Sequence, residues 1–177
     1  MYPWLPSWGR GWHEKRRKGL AYRHVPPGVL ECQTEQDRIF WEKFLHPEGG
    51  GRFLEIGAGD GVTGSHTLGL ELLQGWSGEV HVQSGKLQER AKELRTCKVL
   101  AEEKEFPEPK RVDLLAIHRP DECPSILVSL KKGQPRPSWV IVENRKPNPR
   151  WCRWLERFGY RLRFFFHDDE YFQLTSS

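Results

Sequence analysis

Phe53-Leu54-Glu55-Ile56-Gly57-Ala58-Gly59-Asp60-Gly61 sets a carboxylate inside an apolar run and follows it with glycines at every second position. Glycine reaches positive φ without a Cβ penalty and lets the backbone approach a ligand closely. The stretch therefore predicts a strand that runs into a nucleotide-cofactor loop built from Glu55, Gly57, Ala58, Gly59, Asp60 and Gly61. A carboxylate in an apolar strand is costly unless hydrogen-bonded or paired, which makes Glu55 either a site residue or a structural acceptor for the N–H groups of the loop. Asp60 equally suits the start of a helix, where the dipole favours an acid. Ser65 and Thr67 lie either beside the ligand or bonded within the first helical turn.

Two cofactors fit a loop of this kind. An acid two residues before the first glycine favours S-adenosylmethionine, a cationic sulfonium with no pyrophosphate. Gly59-Asp60-Gly61-Val62-Thr63-Gly64 also satisfies the dinucleotide pattern Gly-x-Gly-x-x-Gly. That pattern expects a ribose-binding acid about 20 residues on, where this chain has Gln83, and a chain of this length leaves no room for a substrate domain. Further along, His118 follows an apolar run and is a candidate base or orienting group, with Asp121, Glu122 or Glu143 assisting. His167-Asp168-Asp169-Glu170 has metal-capable side chains, but adjacent residues seldom converge on one ion, and no metal site is expected.

The elements that must position these residues alternate. A capping-box-like start at Thr34 and Asp37 opens a helix with Phe40, Trp41, Phe44 and Leu45 on its apolar face. A strand over 52–57, a helix over 62–74, a strand over 79–83, a helix over 87–94 and a strand over 97–100 follow. The run 112–117 reads as a buried parallel strand. A helix over 124–132, a strand over 139–143 and a helix over 149–158 come next, the last with Trp151, Trp154 and Phe158 as core. Strands over 160–166 and 171–175, joined by a turn at 167–170, end the chain. The pattern predicts an α/β, doubly wound, mostly parallel seven-stranded sheet with a C-terminal antiparallel hairpin. In such a sheet ligands bind outside the carboxyl ends of the strands, which places Glu55 to Gly61, Gln83, His118 and Glu143 together.

At 177 residues the chain suits one folded domain over 31–177, preceded by an arm over 1–30 that carries Trp4, Trp8, Trp12 and the basic run Lys15 to Lys18. With 28 basic and 24 acidic residues the balance permits nucleic-acid binding without implying it. Four scattered cysteines with no Cys-x-x-Cys pair fit a reduced intracellular compartment. No apolar stretch reaches membrane-spanning length, and a cytoplasmic protein is the expectation.

Cys32-Gln33-Thr34-Glu35-Gln36-Asp37, the stretch Phe53 to Gly61, Gly64-Ser65-His66-Thr67 with Leu70-Glu71, and Gly75-Trp76-Ser77-Gly78 together resemble the FkbM-type methyltransferases. The resemblance covers roughly residues 33–78, and elsewhere only the order of elements. It implies a Rossmann-like class I methyltransferase fold, S-adenosylmethionine as cofactor, and a small-molecule or sugar hydroxyl as methyl acceptor. Glu55, Gly57, Gly59 and Asp60 then fall on the cofactor loop, with Ser65 and Thr67 beside it. The chain departs from the family twice: strand two ends in Gln83 where the family has an acid, and strand four runs into His118 where the family has Asp-x-Glu-Gly. A catalytically degenerate binding or scaffolding domain of the same fold is the alternative.

Overall fold

Apolar except at Glu55, the segment before the glycines forms β1 (Arg52–Ile56). The computed structural model describes residues 40, 50–83, 85–101, 112–118, 126, 136–143, 149–166 and 168–175. The expected arm over 1–30, Asp121, Glu122, most of the helix around Phe40 and most of the helix over 124–132 lie outside them. After β1 come α1 (Leu68–Gln74), β2 (Ser77–Val82), α2 (Lys86–Leu94), β3 (Lys98–Ala101), β4 (Leu114–Ile117), β5 (Trp139–Glu143), α3 (Pro149–Arg157), β6 (Tyr160–Phe166) and β7 (Asp169–Leu174).

The seven strands form one sheet in the order β3-β2-β1-β4-β5-β7-β6. Strands β1 to β5 pair in parallel, and β7 alone runs antiparallel, between β5 and β6. This is the expected doubly wound sheet with its C-terminal hairpin. Strand order reverses between β1 and β4, so the carboxyl ends of those two strands flank the switch point where such sheets bind ligands.

Alternation along β1 sends side chains to two cores. Leu54 and Ile56 join Leu115, Ile117, Val140 and Val142 beneath Trp151 and Leu155 of α3. Phe53 lies in the opposite layer with Leu114, Ala116 and Ile141, covered by Leu70 of α1, Ala91 of α2 and Phe40, which is helical. Glu55 shares the face of Phe53, so a carboxylate enters a hydrophobic layer. The Trp154 and Phe158 rings pack 4.2 Å apart against the first core, as their helical spacing predicts.

Several boundaries shift by one or two residues from the sequence expectation, and two differences bear on the site. The first helix begins at Leu68 rather than at residue 62, because Gly61 and Gly64 sit at φ 70° and 75° and the intervening turns are held by side chains. At its far end Gly75 takes the left-handed conformation and caps the helix as expected. The terminal hairpin is tighter than expected: Asp169 and Glu170 belong to β7 and pair with Glu143 and Val142 of β5. Among the described residues no helix is long and apolar enough to cross a membrane, and Cys97 and Cys152 are free thiols.

Gly78 lies opposite Phe53 in the β1–β2 ladder, where an added Cβ would run into the Phe53 carbonyl oxygen and ring. Gly78→Ala is therefore expected to destabilise the domain by about 2–3 kcal/mol through forced overpacking. Urea unfolding checks this, and a loss under about 0.5 kcal/mol would contradict the close approach.

Candidate functional site

Gly57, Gly59 and Gly61 hold φ values of 78°, 57° and 70°, the left-handed region that side-chained residues rarely enter. Gly57 and Ala58 donate their N–H groups to the His81 carbonyl of β2, at 3.2 and 3.4 Å, so the loop is laid across the ends of β1 and β2. The glycines serve different ends. A Cβ on Gly61 would meet Ala91 Cβ and Val82 Cγ1 at 3.0 Å, whereas a Cβ on Gly59 would meet nothing within 4 Å among the described residues. Gly61 is thus required by packing under α2, and Gly59 faces open space.

Asp60 is consumed inside the loop. Its carboxylate accepts from the Val62 and Thr63 N–H groups, at 3.0 and 2.7 Å, and from the Thr63 hydroxyl at 3.0 Å, with the Arg90 guanidinium 3.4 Å away. It organises the turn in the manner of an Asx motif.

Glu55 is fully buried and saturated with donors. The Ser65 hydroxyl donates to it at 2.7 Å, the Thr67 hydroxyl at 2.5 Å, the His66 N–H at 2.8 Å and the His118 ring Nε2 at 2.9 Å. The carboxylate therefore gathers residues 65–67. It does not accept from the loop amides of Gly57 and Ala58, which the sequence reading offered as its structural role. This is also why α1 starts late: residues 65–67 are bent inward to reach Glu55, and the Ser65 hydroxyl oxygen then caps the helix by accepting from Leu68 N–H at 3.1 Å.

The counter-charge is Arg95, just past α2, whose side chain is wholly buried. Its Nε donates to Glu71 at 2.6 Å, one terminal nitrogen donates to the Gly61 carbonyl and the Ser65 hydroxyl at 2.8 Å each, and the other donates to the Thr67 hydroxyl at 2.8 Å. The first terminal nitrogen also lies 3.6 Å from Glu55, and the guanidinium sits over the Phe53 ring. Glu71 accepts in turn from the Thr96 N–H and hydroxyl and the Cys97 N–H. Burial alone would push the Glu71 carboxyl up, but the Arg95 charge and the Thr96 and Cys97 hydrogen bonds hold it below its ordinary value. Burial and the nearby Glu71 push the Cys97 thiol up to about 12, which leaves it a proton-bearing, unreactive group.

At the carboxyl end of β4, His118 bridges two acids: Nε2 to Glu55 at 2.9 Å and Nδ1 to Glu143, the last residue of β5, at 2.8 Å. Burial opposes a charge on the ring, yet the hydrogen bonds from Glu143 and Glu55 outweigh it and raise the imidazole pKa above its ordinary value. A ring that donates from both nitrogens has no lone pair with which to abstract a proton. Of the two roles expected for His118, base or orienting group, this double engagement suits the orienting one. The same exchange acts on Glu55, whose burial would raise its pKa but whose His118, Arg95 and His66 neighbours hold it far below the carboxylate range. His66 stacks on His118, with ring centres 5.0 Å apart and planes 13° from parallel, and its Nε2 lies 3.5 Å from Asp169 of β7.

The structure thus brings together Glu55, Ser65, Thr67, His118 and Glu143 around one buried network, with Gly57 to Gly61 above it. Gln83 stands apart, exposed just past β2. Sequence reasoning missed Arg95, Glu71 and Asp169 as members. Arg95 reads as one more charge at the end of a charged helix. The available signal was Glu55 itself, since a carboxylate in an apolar strand demands a buried cation. Among the described residues no group of three or more His, Cys, Asp or Glu side chains is arranged to hold a metal ion.

No family model and no curated protein sequence matches the chain. Solved structures do. A methyltransferase from Pyrococcus furiosus superposes with a TM-score of 0.60 at 16% identity, over 93% of this chain and 94% of that one. The fold is that of the class I methyltransferases. The human methyltransferase 10 domain containing protein gives 0.56 at 16% identity over 84% and 81% of the two chains. A SAM-dependent methyltransferase from Thiobacillus denitrificans in complex with S-adenosyl-L-homocysteine gives 0.51 at 13% over 89% and 72%. In this methyltransferase fold the Glu55 network lies at the switch point, directly beneath the glycine loop.

Removing the carboxylate charge in Glu55→Gln leaves Arg95 and His118 as buried cations without their shared acid, so a loss of about 3–5 kcal/mol in unfolding free energy is expected. The pH dependence has two signs. The folded pKa of Glu55 is depressed, so its contribution is present above its ordinary value of 4.5 and is lost as pH falls toward the folded value. The folded pKa of His118 is raised, so its contribution is full below 6.5 and is lost as pH rises through the folded value. The stability difference between wild type and His118→Gln should therefore be largest between pH 4.5 and 6.5 and shrink above that window. Denaturant unfolding across pH measures it, and a difference that grows from pH 6 to 9 would contradict the bridged imidazolium.

Proposed function

We propose that this chain is an S-adenosylmethionine-dependent methyltransferase of the FkbM kind, acting on a hydroxyl of a small molecule or sugar. One observation carries the reading: an open glycine loop, with free space over Gly59, lies at the switch point of a class I methyltransferase sheet beside an oriented His118–Glu143 pair. The SAM-dependent relative that holds S-adenosylhomocysteine shares this fold.

The residues present fit such a cofactor. Gly57 to Gly61 would take its amino-acid end against bare backbone, and Gln83 at the end of β2 would meet the ribose. One amide oxygen in place of two carboxylate oxygens makes that ribose contact weaker than an acid would. Ser65 and Thr67 hold the loop from below, their hydroxyls turned to Glu55 and Arg95. Bound S-adenosylmethionine supplies a methyl group already activated on sulfonium, so alignment of donor and acceptor supplies much of the rate. On the protein side, Glu143, with a side chain 20% exposed, is the group placed to take the proton of the acceptor hydroxyl. His118 fixes the orientation of that carboxylate.

A second reading is favoured by two observations. With His118 engaged at both nitrogens and the ribose acid replaced by Gln83, the domain would keep the fold and work as a binding or scaffolding module.

Calorimetric titration with S-adenosylmethionine and S-adenosylhomocysteine, with NAD as control, separates these readings. Micromolar binding of the first two and none of NAD is expected. Gly59→Val, which fills the open space and strains a left-handed residue, should weaken S-adenosylhomocysteine binding at least 100-fold while the domain still unfolds cooperatively. No binding by the wild-type protein would support the scaffold, and unchanged binding by Gly59→Val would move the site elsewhere.

A further inference from the structure

Arg95 makes more contacts to the cofactor loop than the charge balance of Glu55 requires. Balancing that carboxylate needs only a nearby cation, and His118 already donates to it at 2.9 Å. Yet the Arg95 fork also grips the Gly61 carbonyl, at the last glycine of the loop, together with the Ser65 and Thr67 hydroxyls that turn the chain into α1. Its third edge is taken by Glu71, which is itself fixed by Thr96 and Cys97 at the α2–β3 corner. A chain of contacts therefore runs from Thr96 and Cys97, just before β3, through Glu71 and the buried Arg95 into both ends of the 61–67 turn.

We propose that Arg95 is the positioning residue of the glycine loop, holding residues 61–67 in their ligand-accepting conformation before any ligand arrives, with Glu71 setting the guanidinium. The inference deepens the proposed function, since the ligand class is the adenosine-bearing sulfonium cofactor assigned there. Arginine is required by geometry. Its planar fork spans acceptors on three sides, whereas a lysine ammonium is a single point that cannot reach Gly61, Thr67 and Glu71 at once. Within the loop Asp60 fixes residues 62 and 63, but its hydrogen bonds do not reach the Gly61 carbonyl or the Ser65 and Thr67 hydroxyls that Arg95 holds. Preorganisation by Arg95 would remove an ordering cost from ligand binding.

The test uses Arg95→Lys, which keeps the buried charge, and Glu71→Gln, which leaves the contacts of Arg95 to Gly61, Ser65 and Thr67 available but frees its Nε edge. Amide hydrogen exchange of the ligand-free protein is read at Ser65, His66 and Leu68, with Val140 to Val142 in β5 as internal reference, alongside calorimetry with S-adenosylhomocysteine. In Arg95→Lys the three loop amides should exchange at least 100-fold faster while the β5 amides change less than 3-fold, and S-adenosylhomocysteine affinity should fall at least 10-fold. Glu71→Gln should show the same loop-selective pattern at roughly a tenth of the size, and it decides the matter if Arg95→Lys does not fold. Unchanged loop exchange, or acceleration spread equally over loop and β5, would overturn the proposal by reducing Arg95 to a general structural ion. The exchange arm needs no ligand, so a wild-type protein that fails to bind S-adenosylhomocysteine would sink the cofactor reading and still leave the loop-holding role to be decided by exchange.

Discussion

A fully buried carboxylate at the fourth position of β1, on the face that α1 and α2 cover, constrains everything around it. Glu55 enters a layer otherwise made of Phe53, Leu114, Ala116 and Ile141, where an isolated charge would cost far more than any single packing interaction returns. The fold answers with four hydrogen-bond donors and two cations. Each answer shapes a different element: Ser65 to Thr67 are pulled out of helical geometry, the end of α2 delivers Arg95, and the end of β4 must be a donor, which His118 is.

That last requirement gives the histidine at the end of β4 a physical reason. An acid at the end of β4 would stand close to Glu55 as a like charge, and histidine there instead donates one ring N–H to Glu55 and the other to Glu143. The substitution is therefore compensated locally. The strand end then carries a ring held between two acids, and of those acids Glu143 on β5 is the one with part of its side chain exposed. Buried ionic networks of this sort are poor sources of net stability and better suited to fixing one arrangement among several. Here the arrangement fixed is the turn beneath the glycine loop.

Much of the sheet was legible because it is written in local runs. The apolar stretches 139–143 and 160–166 became β5 and β6 at the same boundaries, and the alternation of strand and helix gave the parallel order with its hairpin. The start of α1 was not legible, since propensity carries the helix back to Val62 while the tether that forbids it comes from Glu55, seven positions upstream and on another element. Asp169 was read as turn because four polar residues in a row look like one, whereas pairing with Glu143 and Phe166 draws it into β7 beside His66. Arg95 was hidden by the charged company it keeps in sequence, and Glu71, the one acid among the leucines of α1, gave no sign in the sequence of the partner it meets at the end of α2. Gly59 and Gly61 look identical in the motif, and only the packing of Ala91 and Val82 distinguishes the glycine that fills a gap from the one that leaves a space.

The account stands on a charged His118 held between two carboxylates, and nitrogen-15 NMR of its imidazole reports that state directly. At pH 6.5, where an ordinary histidine is half protonated, the account predicts that the His118 ring is mostly in the form with protons on both nitrogens. A neutral ring with a single protonated nitrogen at that pH would contradict it, because Glu55 would then lack one of the two cations that make its burial possible.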